Sequence, residues 1–150
     1  MITAHKENLS DCLEEIKPLL GGHHEELALN KDKVKLDPDY DRYLEKEREG
    51  ILFFVTLRQS GEMVGYYIGF IVRAIHNNRT TDCHTDIYYV HPSVRGLGAG
   101  HILFDFCDLE LSKRGVMRWL TVSKNHSPAA GFLEKKGFDP IETVLCKVLG

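Results

Sequence analysis

Apolar residues at Leu9, Cys12, Leu13, Ile16, Leu19 and Leu20 recur at helical spacing and the run meets Gly21-Gly22, which predicts an amphipathic helix ending there. Ile2–Ala4 ahead of it reads as a first strand, and His23–Leu29 behind it as a second short helical turn. Asp37-Pro38 joins a capping residue to a first-turn proline and predicts a helix to about Gly50. At Ile51 the pattern turns β-branched and aromatic. Ile51–Gln59 and Met63–His76, separated by Ser60-Gly61-Glu62, predict an antiparallel hairpin. Cys83–Val90 alternates as a further strand and stops at His91-Pro92, because proline brings no N–H to a sheet ladder.

In the second half, Ile102, Leu103, Phe106, Leu109 and Leu111 fall on a helix that opens inside a glycine-rich turn and closes at Lys113-Arg114-Gly115. Met117–Val122 reads as a strand, Ser127-Pro128 as the start of a helix stopped by Lys135-Lys136-Gly137, and Ile141–Leu149 as a final strand. No internal repeat interrupts this order. The expectation is an α/β fold: a mixed, mainly antiparallel central sheet with helices on both faces, in a single domain over residues 1–150.

Composition narrows the function classes. A chain that is 43% hydrophobic and 27% charged is ordinary for a globular protein. Its net charge of −3, with no lysine or arginine run longer than two residues, lacks the electrostatic footprint of a nucleic-acid binder. The charge is uneven: residues 1–50 carry 13 acids against 8 bases, net −5, and the remainder 9 against 11, net +2. Apolar stretches such as Ile51–Leu57 fall well short of the roughly 20 residues a membrane helix needs. Cys12, Cys83, Cys107 and Cys146 form no C-x-x-C pair and, with no signal peptide in view, read as reduced thiols of a cytoplasmic protein.

The segment Arg95-Gly96-Leu97-Gly98-Ala99-Gly100 concentrates the candidate chemistry. Glycines at alternate positions let backbone approach a ligand and adopt positive φ, and a helix begins immediately behind them. A helix N-terminus offers unpaired N–H groups and the positive end of its dipole, and Arg95 adds charge, so the segment suits a pyrophosphate. Neither common phosphate template fits. No Gly-Lys-Ser/Thr follows, and a dinucleotide fingerprint from Gly96 would require glycine where His101 stands. A glycine cluster taken alone could equally be a tight strand-to-helix connection.

With its flanks, Ile87-Tyr88-Tyr89-Val90-His91-Pro92-Ser93-Val94-Arg95-Gly96-Leu97-Gly98-Ala99-Gly100 resembles the signature of the GNAT N-acetyltransferases. Ser127-Pro128-Ala129-Ala130-Gly131-Phe132-Leu133-Glu134-Lys135-Lys136-Gly137-Phe138 looks like that family's second segment, and Met63–Gly69 is similar to its third strand. The match covers roughly residues 50–140 and implies an acyl-CoA N-acyltransferase type of fold with acetyl-CoA as co-substrate. It also implies that the amides of Gly96, Leu97, Gly98, Ala99 and Gly100 hold the pyrophosphate, with Arg95 at the entrance. Tyr89 and Val90 would offer backbone groups to the pantetheine arm. Asn125 would contact the coenzyme, although its offset to Ala129 is one residue longer than the family's usual spacing.

Transfer to an amine requires a base, since an alkyl ammonium has a pKa of about 10. The resemblance points to Asp86, four residues before Val90, with His84 on the same side of the strand as a second candidate. A family tyrosine that protonates the departing thiolate is replaced here by Leu133; Cys146, Tyr88, Ser127 or water are the substitutes in view. A covalent route through Cys83 or Cys146 lacks an adjacent base, so direct attack in a ternary complex is expected.

The family's acceptor wall corresponds to about Leu9–Glu49, where Glu14, Glu15, Glu25, Glu26, Asp37, Asp39 and Asp41 would favour a cationic amine unless they are simply solvated helix faces. His23-His24-Glu25-Glu26 lacks the spacing of a metal site, and no metal is expected. The alternative to an active enzyme is a catalytically silent acyl-CoA-binding regulatory module, motivated by Leu133. The acceptor stays open, as does the oligomeric state, a homodimer included.

Overall fold

The computed structural model describes residues 1–125 and 129–150. A five-stranded sheet in the order β1-β2-β3-β4-β5 is built from β1 (Ile2–Lys6), β2 (Leu52–Gln59), β3 (Glu62–Arg73), β4 (Thr81–Val90) and β5 (Arg118–Leu120). All neighbours pair antiparallel except β4 and β5, which run parallel. The helices α1 (Leu9–Leu27) and α2 (Tyr40–Arg48) cover one face, and α3 (Ala99–Lys113) and α4 (Ala130–Lys135) the other. The expected mixed, mainly antiparallel sheet with helices on both faces is what the chain forms. Among the described residues no helix is long and apolar enough to cross a membrane.

Period-two alternation, reset by bulges at Val64 and Asp86, divides the central strands between two cores. Phe53, Val55, Leu57, Val64, Tyr67 and Cys83 point to the α3/α4 side and meet Leu103, Phe104, Cys107 and Leu133. Leu52, Phe54, Tyr66, Ile68 and Tyr89 point to the other side and meet Leu9, Cys12, Ile16 and Leu20. The β2–β3 turn is shorter than its composition suggests. Gln59 faces Glu62, leaving Ser60 (φ 51°) and Gly61 (φ 82°) as a two-residue loop with both residues left-handed, the twist a tight hairpin prefers.

Several expected boundaries shift for physical reasons. Gly21-Gly22 does not end α1, which continues to Leu27 and absorbs the separate turn expected at His23–Leu29. Tertiary packing overrides the glycine penalty here, because His23 just beyond the pair packs on Tyr66 and Tyr89. The cap of α2 is Asp39, whose Oδ1 accepts from the Arg42 amide at 3.0 Å, rather than Asp37. The helix start expected at Ser127-Pro128 lies outside the described residues; α4 is seen from Ala130. The strand expected at Ile141–Leu149 does not form: residues 139–150 have no regular structure and are exposed throughout.

Close packing of β3 on β4 generates a testable consequence. A Cβ on Gly65 would lie 2.7 Å from the Tyr89 carbonyl oxygen and 3.3 Å from Leu57, and the backbone atom cannot step aside. Gly65→Ala is therefore expected to cost about 1–3 kcal/mol, read as a lower urea midpoint; an unchanged midpoint would mean that β4 shifts freely at this point.

Candidate active site

The glycine turn follows β4 through a single 3-10 turn, Pro92–Val94, in which the His91 ring accepts from the Ser93 amide at 3.1 Å. Gly96 (φ 80°) and Gly98 (φ 79°) are left-handed, and Gly98 sits at the N-cap of α3. Nothing lies within 4 Å of a Cβ built on either, so their outer side is open. The N–H groups of Gly96, Gly98, Ala99, Gly100 and His101 have no backbone acceptor among the described residues. This is a row of free donors at the positive end of a 15-residue helix. Gly100 has a different task, since a Cβ there would meet Phe132 at 3.3 Å.

Arg95 is already engaged. Its guanidinium holds Glu26 of α1 through two bonds of 2.7 and 2.6 Å, its Nε donates to the Val90 carbonyl at 2.9 Å, and it lies 5.5 Å from the Tyr89 ring centre. The paired guanidinium holds the Glu26 carboxyl below its ordinary pKa.

Beside the turn the sheet opens. β5 pairs with β4 only at Asp82↔Arg118, Cys83↔Trp119 and His84↔Leu120, so Thr85–Val90 has β3 on one side and no β5 residue on the other. Arg118 holds the buried Asp82 at 2.9 and 2.6 Å at the closed end, and the Trp119 indole N–H donates to Tyr67 Oη at 2.8 Å and to Thr85 Oγ1 at 3.2 Å. Toward the mouth the Tyr88 hydroxyl donates to the Val122 carbonyl at 3.2 Å. Thr121 Oγ1 is buried without a hydrogen-bond partner among the described residues. The His91 amide donates to the Val64 carbonyl at 2.8 Å, so by alternation Tyr89 turns its backbone groups to β3 while Tyr88 and Val90 turn theirs to the opening.

Asp86 occupies a β-bulge. Ile68 faces Ile87 and Gly69 faces Thr85, which leaves Asp86 without a register partner and re-aims its side chain toward α2. Its carboxylate accepts from the Tyr43 hydroxyl at 2.5 Å. Burial pushes the Asp86 pKa above the ordinary carboxylate value, and the Tyr43 bond acts in the opposite sense. The two line a cavity of about 510 Å³ with Arg42, Lys46, Ile51 and Phe70, and Tyr43 stacks on Phe70 with centroids 6.2 Å apart.

A second cluster sits between Asp86 and the turn on the same face. His23 stacks on Tyr89 with ring centroids 5.0 Å apart, and its Nδ1 lies 2.7 Å from the Tyr66 hydroxyl. Burial lowers the His23 pKa from 6.5 to about 4, so the imidazole is neutral near neutral pH.

The predicted site residues thus separate. Asp86 and His84 are both solvent-exposed, but only Asp86 lines the cavity. Gly96–Gly100 form the open turn, and Asn125 lies exposed beyond β5. Of the acidic residues on the expected acceptor wall only Asp39 lines the Asp86 cavity; Glu15 binds Arg58 and Glu26 binds Arg95, so that lining is balanced in charge rather than acidic. Leu133 is buried in the α3/α4 core. Cys83 is buried with its thiol pKa raised by desolvation, which makes it a poor nucleophile. Tyr43, Phe70, Arg42 and Lys46 escaped the sequence reading, and His23 was weighed there only as a metal ligand. The spacing of Tyr40, Tyr43 and Leu44 marks the inner face of α2 and could have flagged the first of them.

The model of the acetyltransferase (GNAT) family matches residues 20–138. No curated protein matches the sequence. Among solved structures, a ribosomal-protein-alanine N-acetyltransferase from Brucella melitensis biovar Abortus 2308 is 18% identical with a TM-score of 0.75, over 100% of this chain and 97% of that one. An aminoglycoside acetyltransferase from an uncultured soil metagenomic sample is 14% identical with a TM-score of 0.77, over 100% and 99%. A predicted acetyltransferase with acetyl-CoA from Clostridium acetobutylicum is 15% identical with a TM-score of 0.72, over 99% and 96%. At these identities the likeness is one of fold.

The neutral His23 makes stability depend on pH. Between pH 6.5 and about 4 the unfolded chain binds a proton that the folded one does not, so stability falls as pH drops through this window. The full shift corresponds to about 3 kcal/mol, and solvent screening at the ring's open edge reduces this to roughly 1–2 kcal/mol. His23→Gln is expected to flatten the decline between these limits in thermal melts. An identical slope in the variant would assign the acid sensitivity to another group.

Proposed function

This chain belongs to the acetyltransferase (GNAT) family, and on that premise we propose that it moves the acetyl group of acetyl-CoA onto a primary amine by direct attack in a ternary complex. The observation that carries the reading is the continuity between the free amides of the glycine turn and the opening between β4 and β5, whose closed end lies beside Asp86. The pyrophosphate is assigned to the amides of Gly96, Gly98, Ala99 and Gly100, and the pantetheine arm to the opening. There Val90 keeps a free N–H, its carbonyl being held by Arg95, and Thr121 supplies an unpartnered hydroxyl. An arm running from Val90 toward Thr85 covers roughly 17 Å of strand and ends its thioester next to the bulge.

The acceptor amine enters from the cavity between α2 and β3/β4. Asp86 takes its proton, directly or through water, and a carboxylate whose pKa is raised by burial is the better base for that step. The freed amine attacks the thioester carbon, the nitrogen gives its second proton to solvent, and the tetrahedral intermediate collapses with the C–S bond breaking to release the coenzyme A thiolate. Tyr88 is the donor suited to that sulfur: its hydroxyl reaches across to the Val122 carbonyl beyond β5, and burial keeps it protonated. Asp86 draws an ammonium while Arg42 and Lys46, one turn apart on α2, face the same cavity, so the acceptor class that fits is an amine also bearing a carboxylate or phosphate. Leu133 in the core favours a second reading, an acyl-CoA-binding module that transfers nothing.

Two experiments decide among these. Gly98→Val forces a β-branched residue into the left-handed region and fills the open side of the turn. Calorimetry should show acetyl-CoA binding weakened at least about tenfold, a change of roughly 1.4 kcal/mol, and unchanged affinity would remove the turn from the coenzyme site.

Thiol release across cationic, neutral and anionic amines should reveal turnover in the wild type. Asp86→Asn should lower kcat by about 10²–10⁴-fold with acetyl-CoA affinity retained. Activity should fall on the acid side as Asp86 protonates. Tyr43→Phe removes the bond that lowers that pKa, so the acid limb should move to higher pH. Tight binding with no turnover on any amine would establish the silent module instead.

A further inference from the structure

The cavity that Asp86 faces carries a charge balance of its own. Four ionic side chains line it, Asp39, Arg42, Lys46 and Asp86, and two of them are already satisfied within the chain. Asp39 caps α2, its Oδ1 accepting from the Arg42 amide at 3.0 Å, and Lys46 reaches Glu49 at 3.3 Å. The Arg42 guanidinium has neither an ion-pair partner nor a hydrogen-bond acceptor among the described residues. Asp86 is bonded to the neutral Tyr43 hydroxyl. Among the described residues the lining therefore offers one unpaired cation and one unpaired anion. Tyr43 ties the two together, since it follows Arg42 in the chain and bonds Asp86.

The surface around these charges is apolar. Tyr43 stacks on Phe70, Ile51 is half-buried, and Val72 is 36% exposed although it belongs to a central strand. Apolar side chains left uncovered in a recess are stabilised by an apolar ligand body. At about 510 Å³ the recess has the size of a small-molecule site, which spans roughly 300–1,000 Å³. Charge and surface together restrict the acceptor. A phosphate dianion would meet a single free cation, whereas a carboxylate matches Arg42 in charge and in its planar, two-pronged geometry. A polyamine would bring further ammonium groups beside Arg42. A sugar would lay hydroxyls on Phe70 and Val72, where no polar group answers them.

We propose that the acceptor is a free α-amino acid with a large apolar side chain, its ammonium at Asp86, its carboxylate on Arg42 and its side chain against Ile51, Phe70 and Val72. The assignment rests on the transfer reading above, in which this cavity receives the amine. The α-nitrogen gives one proton to Asp86 and one to solvent and bonds the acetyl carbon as the C–S bond breaks. The products are an N-acetyl amino acid and coenzyme A. Acetylation removes the ammonium that Asp86 held, so the product is retained by Arg42 alone.

The test compares phenylalanine, phenylalaninamide, glycine, O-phosphoserine and spermidine as acceptors, with thiol release from acetyl-CoA as the readout. Phenylalanine should exceed each of the others in kcat/KM by at least about tenfold. Phenylalaninamide is the sharpest control, because its amine loses a proton more readily and intrinsic reactivity would favour it. Arg42→Glu should reverse the order, raising KM for phenylalanine and making the amide the better substrate, a reversal that loss of structure cannot produce. A wild type that turns over any of the other four as well as phenylalanine overturns the proposal, as does a variant that keeps the wild-type order. Should Arg42→Glu fail to fold by far-UV circular dichroism, Arg42→Gln replaces it; the advantage of phenylalanine over its amide should then vanish, and an advantage that persists overturns the proposal. Calorimetry separates this proposal from the transfer reading. If the wild type releases no thiol with any amine, the transfer reading alone fails, and phenylalanine titrated into the protein with acetyl-CoA present decides. Binding that Arg42→Glu abolishes supports the assignment, and absent binding, or binding that survives the exchange, overturns it.

Discussion

Asp82 and Arg118 hold β4 and β5 together at one end only. The carboxylate is buried and doubly bonded by the guanidinium, and Trp119, Tyr67 and Thr85 knit the two strands at the same level through indole and hydroxyl hydrogen bonds. Above this point β4 stays paired with β3 while β5 turns away, so a sheet that would otherwise be continuous acquires a wedge of unpaired backbone in its interior. Unpaired backbone groups in a core are costly, and a ligand that supplies hydrogen bonds along the wedge removes that cost. The glycine turn stands at the wedge's open end and the bulged Asp86 near its closed end, which gives the site its direction.

The face opposite α3 is organised by charge at both ends of α1. Glu47 of α2 accepts from the Leu9 and Ser10 amides in place of a local cap, and Arg58 of β2 bonds Glu7 and Glu15. Arg95 holds Glu26 near the other end. Partly exposed pairs of this kind each contribute about 1 kcal/mol or less. Their main effect is positional: they fix where α1 lies over Tyr66 and Tyr89, whose burial supplies the larger energy.

What could be read from the sequence was what local chemistry decides. The hairpin at Ser60-Gly61, the glycine N-cap of α3 and its close at Gly115 all follow from backbone preferences that a few neighbouring residues determine. The open turn ahead of α3 was legible for the same reason, since alternate glycines leave the first amides of a helix uncovered by side chains. What was missed depends on contacts distant in the chain. α1 crosses Gly21-Gly22 where His23 finds Tyr66 and Tyr89 to pack on, Asp86 faces Tyr43 because a bulge shifts the register by one residue, and Glu15 and Glu26 of the acceptor wall are spent on Arg58 and Arg95. Ile141–Leu149 shows the converse: its alternation is strand-like, yet a strand requires an edge to pair with, and the pattern alone does not supply one.

The continuity of α1 has a mechanical meaning. Nineteen residues span roughly 28 Å, clamped by Glu47 at the first turn and by Arg95 near the last, and the helix continues through Gly21-Gly22 although Pro18 inside it brings no N–H to the ladder. An anion that drew the Arg95 guanidinium away from Glu26 would unfasten one clamp of the helix beneath which Tyr66 and Tyr89 are packed. By the reciprocity of linked equilibria, a shift of α1 over those rings would then alter the affinity for such an anion by the same factor.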